Sequence, residues 1–209
     1  MPTLGLVVSG GGARGAYQAG VLAAIGDICA ELKINQPFKI YTSVSAGAIN
    51  SCFLTCYEGN FAEGSQRLLD IWKSLKSENI FISNPVVLAE GGLEWLAALS
   101  FGGMKKNVKG KSLLNTSPLH ELIIKNCDFR HLATRIERKE IAAFGVTALD
   151  YYSSSSVTFV QGDPQLKPWE RVRRKSEATI IQPEHLMASA AIPLLFSRSE
   201  EHTSELQSH

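Results

Sequence analysis

Two short segments bring together residue types suited to acyl transfer: Ser9-Gly10-Gly11-Gly12-Ala13-Arg14-Gly15 and Ser43-Val44-Ser45-Ala46-Gly47. A serine at a sharp strand-to-helix elbow presents its hydroxyl from a strained backbone. The crowding there demands small residues two before and two after it. Gly47 meets that demand, and Ser43 stands where glycine is usual. A helix beginning just after Ser45 would point its positive end at the hydroxyl, favouring an alkoxide and any developing anion. Acyl transfer also needs backbone N–H donors about 3 Å from the reacting oxygen, and residues without side chains let the main chain approach that closely. Gly10, Gly11 and Gly12 are the candidates for such an oxyanion hole. The plainer readings are a tight connection needing positive φ for the glycine run and an ordinary helix N-cap for Ser45.

The glycine segment also satisfies the G-x-G-x-x-G pattern of a dinucleotide-binding turn. That reading requires an acidic residue about 20 positions on, at the end of the second strand, to hold the ribose. The distance falls on Glu31, inside the first expected helix, and the second expected strand ends at Thr42-Ser43 without an acid. A P-loop is excluded because Ala16 follows Gly15 where lysine is needed.

The elements that must position these turns follow from periodicity. Leu4 to Val8 is a short apolar run that suits a buried parallel strand. From Ala16 to about Lys33, Val21, Leu22, Ile25, Ile28, Cys29 and Leu32 recur at helical spacing. Phe38 to Thr42 reads as a second strand and Ala46 to Tyr57 as a second helix, which predicts two adjacent parallel strands with a crossover helix. Ala62 to Lys76 reads as helical, as does the compact apolar stretch Leu93 to Leu99 around Trp95. A glycine and lysine loop with Lys105, Lys106, Lys109 and Lys111 follows. Ser117-Pro118 reads as an N-cap followed by proline at the first helical position. Ile141 to Leu149 and Val157 to Val160 read as a hairpin. Trp169 with Arg171, Arg173, Arg174 and Lys175 reads as a solvated loop, with contact to anionic headgroups as the alternative.

The chain has 209 residues, 44% of them hydrophobic and 20% charged, which suits one substantial core. A formal charge of +1 gives no case for nucleic acid. Met1-Pro2-Thr3 runs into the first strand without a secretory pattern, and no apolar run approaches the ~20 residues that span a bilayer. A cytoplasmic or peripheral membrane location is therefore expected. Cys29, Cys52, Cys56 and Cys127 lack the spacings of a disulfide scaffold or zinc site. Cys52 and Cys56 would share a helix face, and buried apolar packing is the reading for them. His120, His131 and His185 are the candidates for a Ser-His-Asp triad, although His120 and His131 fall in helical patterns and read as surface or satisfied polar residues.

Gly10 to Gly15, the elbow Ser43 to Gly47, and Ala188-Ser-Ala-Ala-Ile-Pro193-Leu-Leu-Phe196 resemble three of the four signature blocks of patatin-like phospholipases, a likeness spanning Leu4 to Phe196. The resemblance implies a three-layer α/β/α sandwich around a mainly parallel sheet. It also implies hydrolysis of phospholipids or other acyl esters by a Ser-Asp dyad, with no metal or cofactor. Carried across, Ser45 is the nucleophile, the N–H groups around Gly10, Gly11 and Gly12 form the oxyanion hole with electrostatic support from Arg14, and Gly15, Ser43 and Gly47 support the motifs. The fourth block holds the dyad aspartate in an Asp-Gly-Gly or Asp-Gly-Ala turn, and nothing after Phe196 resembles it. Asp27, Asp70, Asp128, Asp150 and Asp163 all lie upstream, none followed by such glycines.

From Arg198 to Ser208 the chain turns abruptly polar and matches the translation of a common sequencing-adapter oligonucleotide. Residues 4–197 are thus expected to be an incomplete patatin-like acyl hydrolase domain and 198–209 a non-native tail, with a fragment that turns over poorly for want of a general base. Two other functions fit the motifs less well: a lipid-binding module that retains the elbow without turnover, and a nucleotide-binding α/β domain.

Overall fold

The computed structural model describes residues 3–83 and 114–191. The apolar stretch around Trp95, the glycine and lysine loop, and the tail from Arg198 lie outside the described residues. Two compact units divide the chain, one of Met1–Leu75 with Ile123–Ala190 and one of Lys76–Leu122 with Ala191–His209. In the second unit, β3 (Ile82–Ser83) pairs antiparallel with β4 (Leu114–Asn115), Ile82 opposite Asn115. The helix α4 (Ser117–Asn126) follows. The side chain of Asn115 accepts from the Ser117 N–H at 2.9 Å and from its hydroxyl at 2.7 Å, so Asn115 fixes the start of this helix.

In the first unit the chain runs β1 (Gly5–Val8), a 3-10 turn (Gly12–Arg14), α1 (Gly15–Glu31), β2 (Ile40–Val44), α2 (Ala46–Thr55) and α3 (Phe61–Ser74). It resumes with α5 (Phe129–Glu137), β5 (Ala143–Asp150), β6 (Ser155–Gly162), β7 (Glu170–Arg171), β8 (Arg174–Ala178) and α6 (Pro183–Ala190). Six strands form one mixed sheet in the order β1-β2-β5-β6-β8-β7. Helices lie on both sides of it, giving the expected α/β fold. β1 and β2 are parallel neighbours, with Gly5 opposite Ile40 and Val8 opposite Ser43. β2 is in turn parallel to β5. The predicted crossover is therefore present. β2 begins two residues later than the sequence suggests, and the Phe38 ring before it packs edge-on against Tyr41 and Phe61. β5 and β6 form the expected hairpin, with Asp150 opposite Ser155.

Three expectations need correction. β1 is not a fully buried strand: it stands at the sheet's edge among the described residues, with Val8 buried but Val7 78% exposed. The buried face of α1 is Gly15, Ala19, Leu22, Ala23, Gly26 and Cys29, while Val21, Ile28 and Leu32 are exposed. Small residues face α3 because the helices approach closely; a Cβ on Gly26 would collide with the Ser65 hydroxyl and lie 3.1 Å from the Ala62 Cα. Finally, the charged segment after Trp169 is no loop, since β8 pairs parallel with β6 and antiparallel with β7. Its apolar pattern is missing because only Ser176 in β8 is buried. Lys175 and Glu177 pair instead at 2.6 Å, the kind of charge that protects strands near a sheet edge.

The C-terminal end of α2 is closed by Arg135 of α5. This buried guanidinium donates to the carbonyls of Leu54 and Tyr57, both at 3.1 Å, and to the Gln36 side chain at 2.7 Å. Glu140 accepts from its Nε at 3.1 Å. A helix leaves its last carbonyls without partners, and a cation at that end is favoured by the helix dipole. Arg135 supplies both the donors and the charge.

Candidate active site

Ser45 stands between β2 and α2 with φ 56° and ψ −129°. Left-handed φ is strained for a residue carrying a Cβ and persists only where its surroundings enforce it. An ordinary N-cap serine has extended φ and uses its side-chain oxygen to accept from the first turn. Here the Ser45 side chain makes no cap hydrogen bond, and it is the backbone carbonyl that accepts from Ala48 and Ile49 at 2.9 and 3.2 Å. The N-cap reading of Ser45 therefore does not describe its geometry.

Two neighbours enforce that backbone. A Cβ on Gly47 would lie 2.5 Å from the Ser9 carbonyl oxygen and 2.6 Å from that of Val8. Only glycine lets α2 begin directly against the end of β1. Ser189 of α6 accepts from the Ser45 N–H at 2.8 Å and donates to the Thr147 carbonyl of β5 at 2.6 Å. One hydroxyl thus ties the elbow to the adjacent strand. It also commits the Ser45 N–H, so donors for an oxyanion at this serine have to come from other residues. Ser189→Ala leaves both backbone groups without this partner. A loss of about 1–3 kcal/mol of unfolding free energy is expected by denaturant titration, and a change below about 0.5 kcal/mol would mean that the bridge contributes little.

The glycine run lies beside this elbow. A Cβ on Gly10 would come within 3.1 Å of the Ser45 Cβ and 3.7 Å of its Oγ, so the main chain at Gly10 faces the serine. Gly11 lies under the aliphatic stem of Arg14, whose Cβ a new methyl would meet at 3.2 Å. Gly12 has φ +54° with open space around it, which is the turn geometry of the plainer reading. Gly15 serves packing: its Cβ would strike the Trp72 ring at 2.6 Å. Ser43 is buried in β2, and its hydroxyl has no hydrogen-bond partner among the described residues.

A buried polar network that sequence reasoning did not identify holds the glycine turn in place. Asn50 of α2 is fully buried. Its amide donates to the Gly15 carbonyl and to Gln18 Oε1, both at 3.1 Å, and its oxygen accepts from Trp72 Nε1 at 2.8 Å. Gln18 donates in turn to the Ser9 carbonyl at 2.8 Å. The turn is thus fastened to α1, α2 and α3 at once. The one visible signal was an asparagine inside a helix otherwise made of small and apolar residues.

The remaining candidates are engaged elsewhere. Asp27 accepts from Gln66 at 2.8 Å, Asp70 pairs with Lys73 at 3.3 Å, and Asp163 accepts from the Gln165 N–H at 2.9 Å. Asp128 caps α5, where hydrogen bonds from Arg130 hold its carboxyl down at about 2. Asp150 accepts from Ser153 and Tyr152 in the hairpin turn, contacts that lower its pKa. None of these contacts reaches Ser45. His131 lies on α5 against the Cys56 carbonyl at 3.3 Å, and His185 accepts from the Gln182 N–H at 2.9 Å with its ring edge-on to Phe159. Glu31 is the last residue of α1 and β2 ends at Val44, so the acid required for dinucleotide binding is missing from the end of β2.

The described geometry is that of an α/β protein with a serine at a strained strand-to-helix elbow, faced by a glycine turn from the neighbouring parallel strand. The chain belongs to the patatin-like phospholipase family, whose pattern matches residues 6–206. Among solved structures it is similar to the type III effector protein ExoU, at 18% identity over 76% of this chain and 36% of that one, with a TM-score of 0.40. It is also similar to a structure of the heterodimeric ExoU-SpcU complex from the type III secretion system of Pseudomonas aeruginosa, at 16% identity over 76% of this chain and 33% of that one, with a TM-score of 0.30. The chain spans about a third of the length of these solved relatives. No curated protein matches it significantly. No helix among the described residues is long and apolar enough to cross a membrane.

Proposed function

We propose that this chain carries the nucleophile and oxyanion-binding half of a serine lipid acyl hydrolase of the phospholipase A or lysophospholipase type. The observation that supports this reading most is Ser45 at φ 56° with its hydroxyl not used for capping. In the proposed reaction Ser45 Oγ attacks the acyl carbonyl carbon, and the oxygen that becomes negative is met by N–H groups of Gly10, Gly11 and Gly12, with Arg14 supplying positive charge nearby. Collapse expels the lysolipid or alcohol with a proton and leaves an acyl-serine, which water cleaves. A dyad aspartate, as the family resemblance implies, acts as general base for both steps. Substrate reaches the site from a membrane surface. The exposed hairpin tip around Val172, flanked by Arg171 and Arg173, offers apolar and cationic contacts for that surface.

A fluorophosphonate probe tests this assignment. Covalent labelling of wild-type protein at Ser45, absent in Ser45→Ala, is the expected result. A well-folded protein that binds liposomes and takes no label at Ser45 would instead be a lipid-binding module without turnover.

A further inference from the structure

Cys52, Cys56 and Cys127 come together at the far end of the helix that begins at Ser45. Their three sulfurs all lie within 4.8 Å of one another, and all three residues are buried. Cys52 and Cys56 face each other across one helical turn, Sγ to Sγ 3.6 Å. Cys127 follows α4 and arrives from a distant part of the chain. Two sulfurs sharing a tetrahedral ion at about 2.3 Å stand about 3.8 Å apart. The cluster is therefore already near the dimensions of a thiolate-bound cation. The three are free thiols, separated too widely for a covalent S–S bond.

We infer that Cys52, Cys56 and Cys127 form a binding site for one soft, thiophilic cation of the zinc or cadmium kind. Three thiolates supply three of four tetrahedral positions. The fourth is left for a water, and Cys56 and Cys127 both line an open cavity of about 590 Å³ whose wall also includes Glu58, Asp128 and His131. That cavity gives an ion a way in. Binding displaces the thiol protons into this space, since only thiolates ligate.

The surroundings favour this over plain apolar packing. The Cys29 thiol stands apart from the cluster. Cys56 is the C-cap of α2, a helix end whose dipole attracts the cation but opposes the one excess negative charge that three thiolates leave around a divalent ion. Arg135, on the carbonyls of Leu54 and Tyr57 to either side of Cys56 and paired with Glu140, offsets part of that charge.

The test is titration of the reduced protein with Cd²⁺ alone, followed by the ultraviolet thiolate-to-cadmium charge-transfer band. One equivalent per chain is expected, and Cd²⁺ should displace Zn²⁺ that has been bound first. Cys127→Ser should weaken binding at least about tenfold, the lower end of what even an outer-shell partner costs, and Cys29→Ser should leave it unchanged. Because Cys127 is buried, circular dichroism checks that variant, with Cys56→Ser at the helix end as the second. Should both misfold, alkylation rates of the wild-type cysteines decide: Cd²⁺ should slow Cys52, Cys56 and Cys127 and spare Cys29. No band in wild type, wild-type affinity in either folded variant, or equal alkylation with and without Cd²⁺ would overturn the site.

Discussion

Ser45→Ala, in protein expressed with its whole gene-encoded chain, is expected to lower ester hydrolysis by roughly 10⁵- to 10⁶-fold, the scale on which removing a catalytic serine removes the covalent route itself. The fold should be untouched, because alanine occupies the same space and carries the same Cβ into the φ 56° backbone. Ser45→Gly sharpens the expectation. It should be as inactive as Ser45→Ala and yet more stable by about 1 kcal/mol, since glycine adopts this φ without the strain that a Cβ imposes. Hydrolysis assays with denaturant unfolding on the same three proteins check both statements. Survival of most activity in either variant would remove Ser45 from the mechanism. A Ser45→Gly protein less stable than wild type would show that the elbow is not strained.

The second large effect concerns stability. Gly47→Ala is expected to destabilise the first unit by about 3 kcal/mol, the upper range for overpacking a site that cannot yield. What the new methyl meets is backbone, the carbonyls of Val8 and Ser9 at 2.6 and 2.5 Å, and not the movable end of a side chain. Relief requires α2 to back away from β1, which would also separate Ser45 from Gly10. Gly20→Ala is the matched control: it lies within α1 with nothing inside 4 Å of the added atom. The same chemical change should there stabilise by about 0.5–1 kcal/mol. Thermal midpoints moving in opposite directions for the two alanines are the expected result. A Gly47→Ala protein as stable as wild type would show that the helix start is free to move.

Both turns were legible in the sequence because each requires a residue type that tolerates few alternatives. Gly47 and the flanking apolar strands announce the elbow, and the spacing of β1, α1 and β2 announces the crossover that places Gly10 against Ser45. What was not legible depends on contacts between distant segments. Ser189 lies within a recognised block, but nothing in its neighbours says that its hydroxyl will bridge Ser45 to Thr147. Asn50, Gln18 and Trp72 converge from three helices, and Cys127 joins Cys52 and Cys56 from beyond the second unit's residues. β8 escaped notice for a different reason: it pairs through its backbone while its side chains remain charged and outward. In α1 the apolar pattern found Leu22 and Cys29 but not the rest of the buried face, since Ala19, Ala23 and Gly26 bury themselves by being small and so weigh little in any hydrophobic period.

Helix ends ordinarily open first, because their terminal carbonyls have no partner within the helix and the cost of unwinding one turn is small. α2 lacks that freedom at its C-terminal end, where Arg135 holds the carbonyls of Leu54 and Tyr57. At its other end the Ser45 carbonyl already accepts from Ala48 and Ile49, and Ser189 holds the Ser45 N–H. Its amides therefore have no quick route to exchange with solvent by fraying, and must wait for an opening that also breaks the ladder of β2 and β5. The strained turn at Ser45 in consequence has the lifetime of the protein interior and not that of a surface loop.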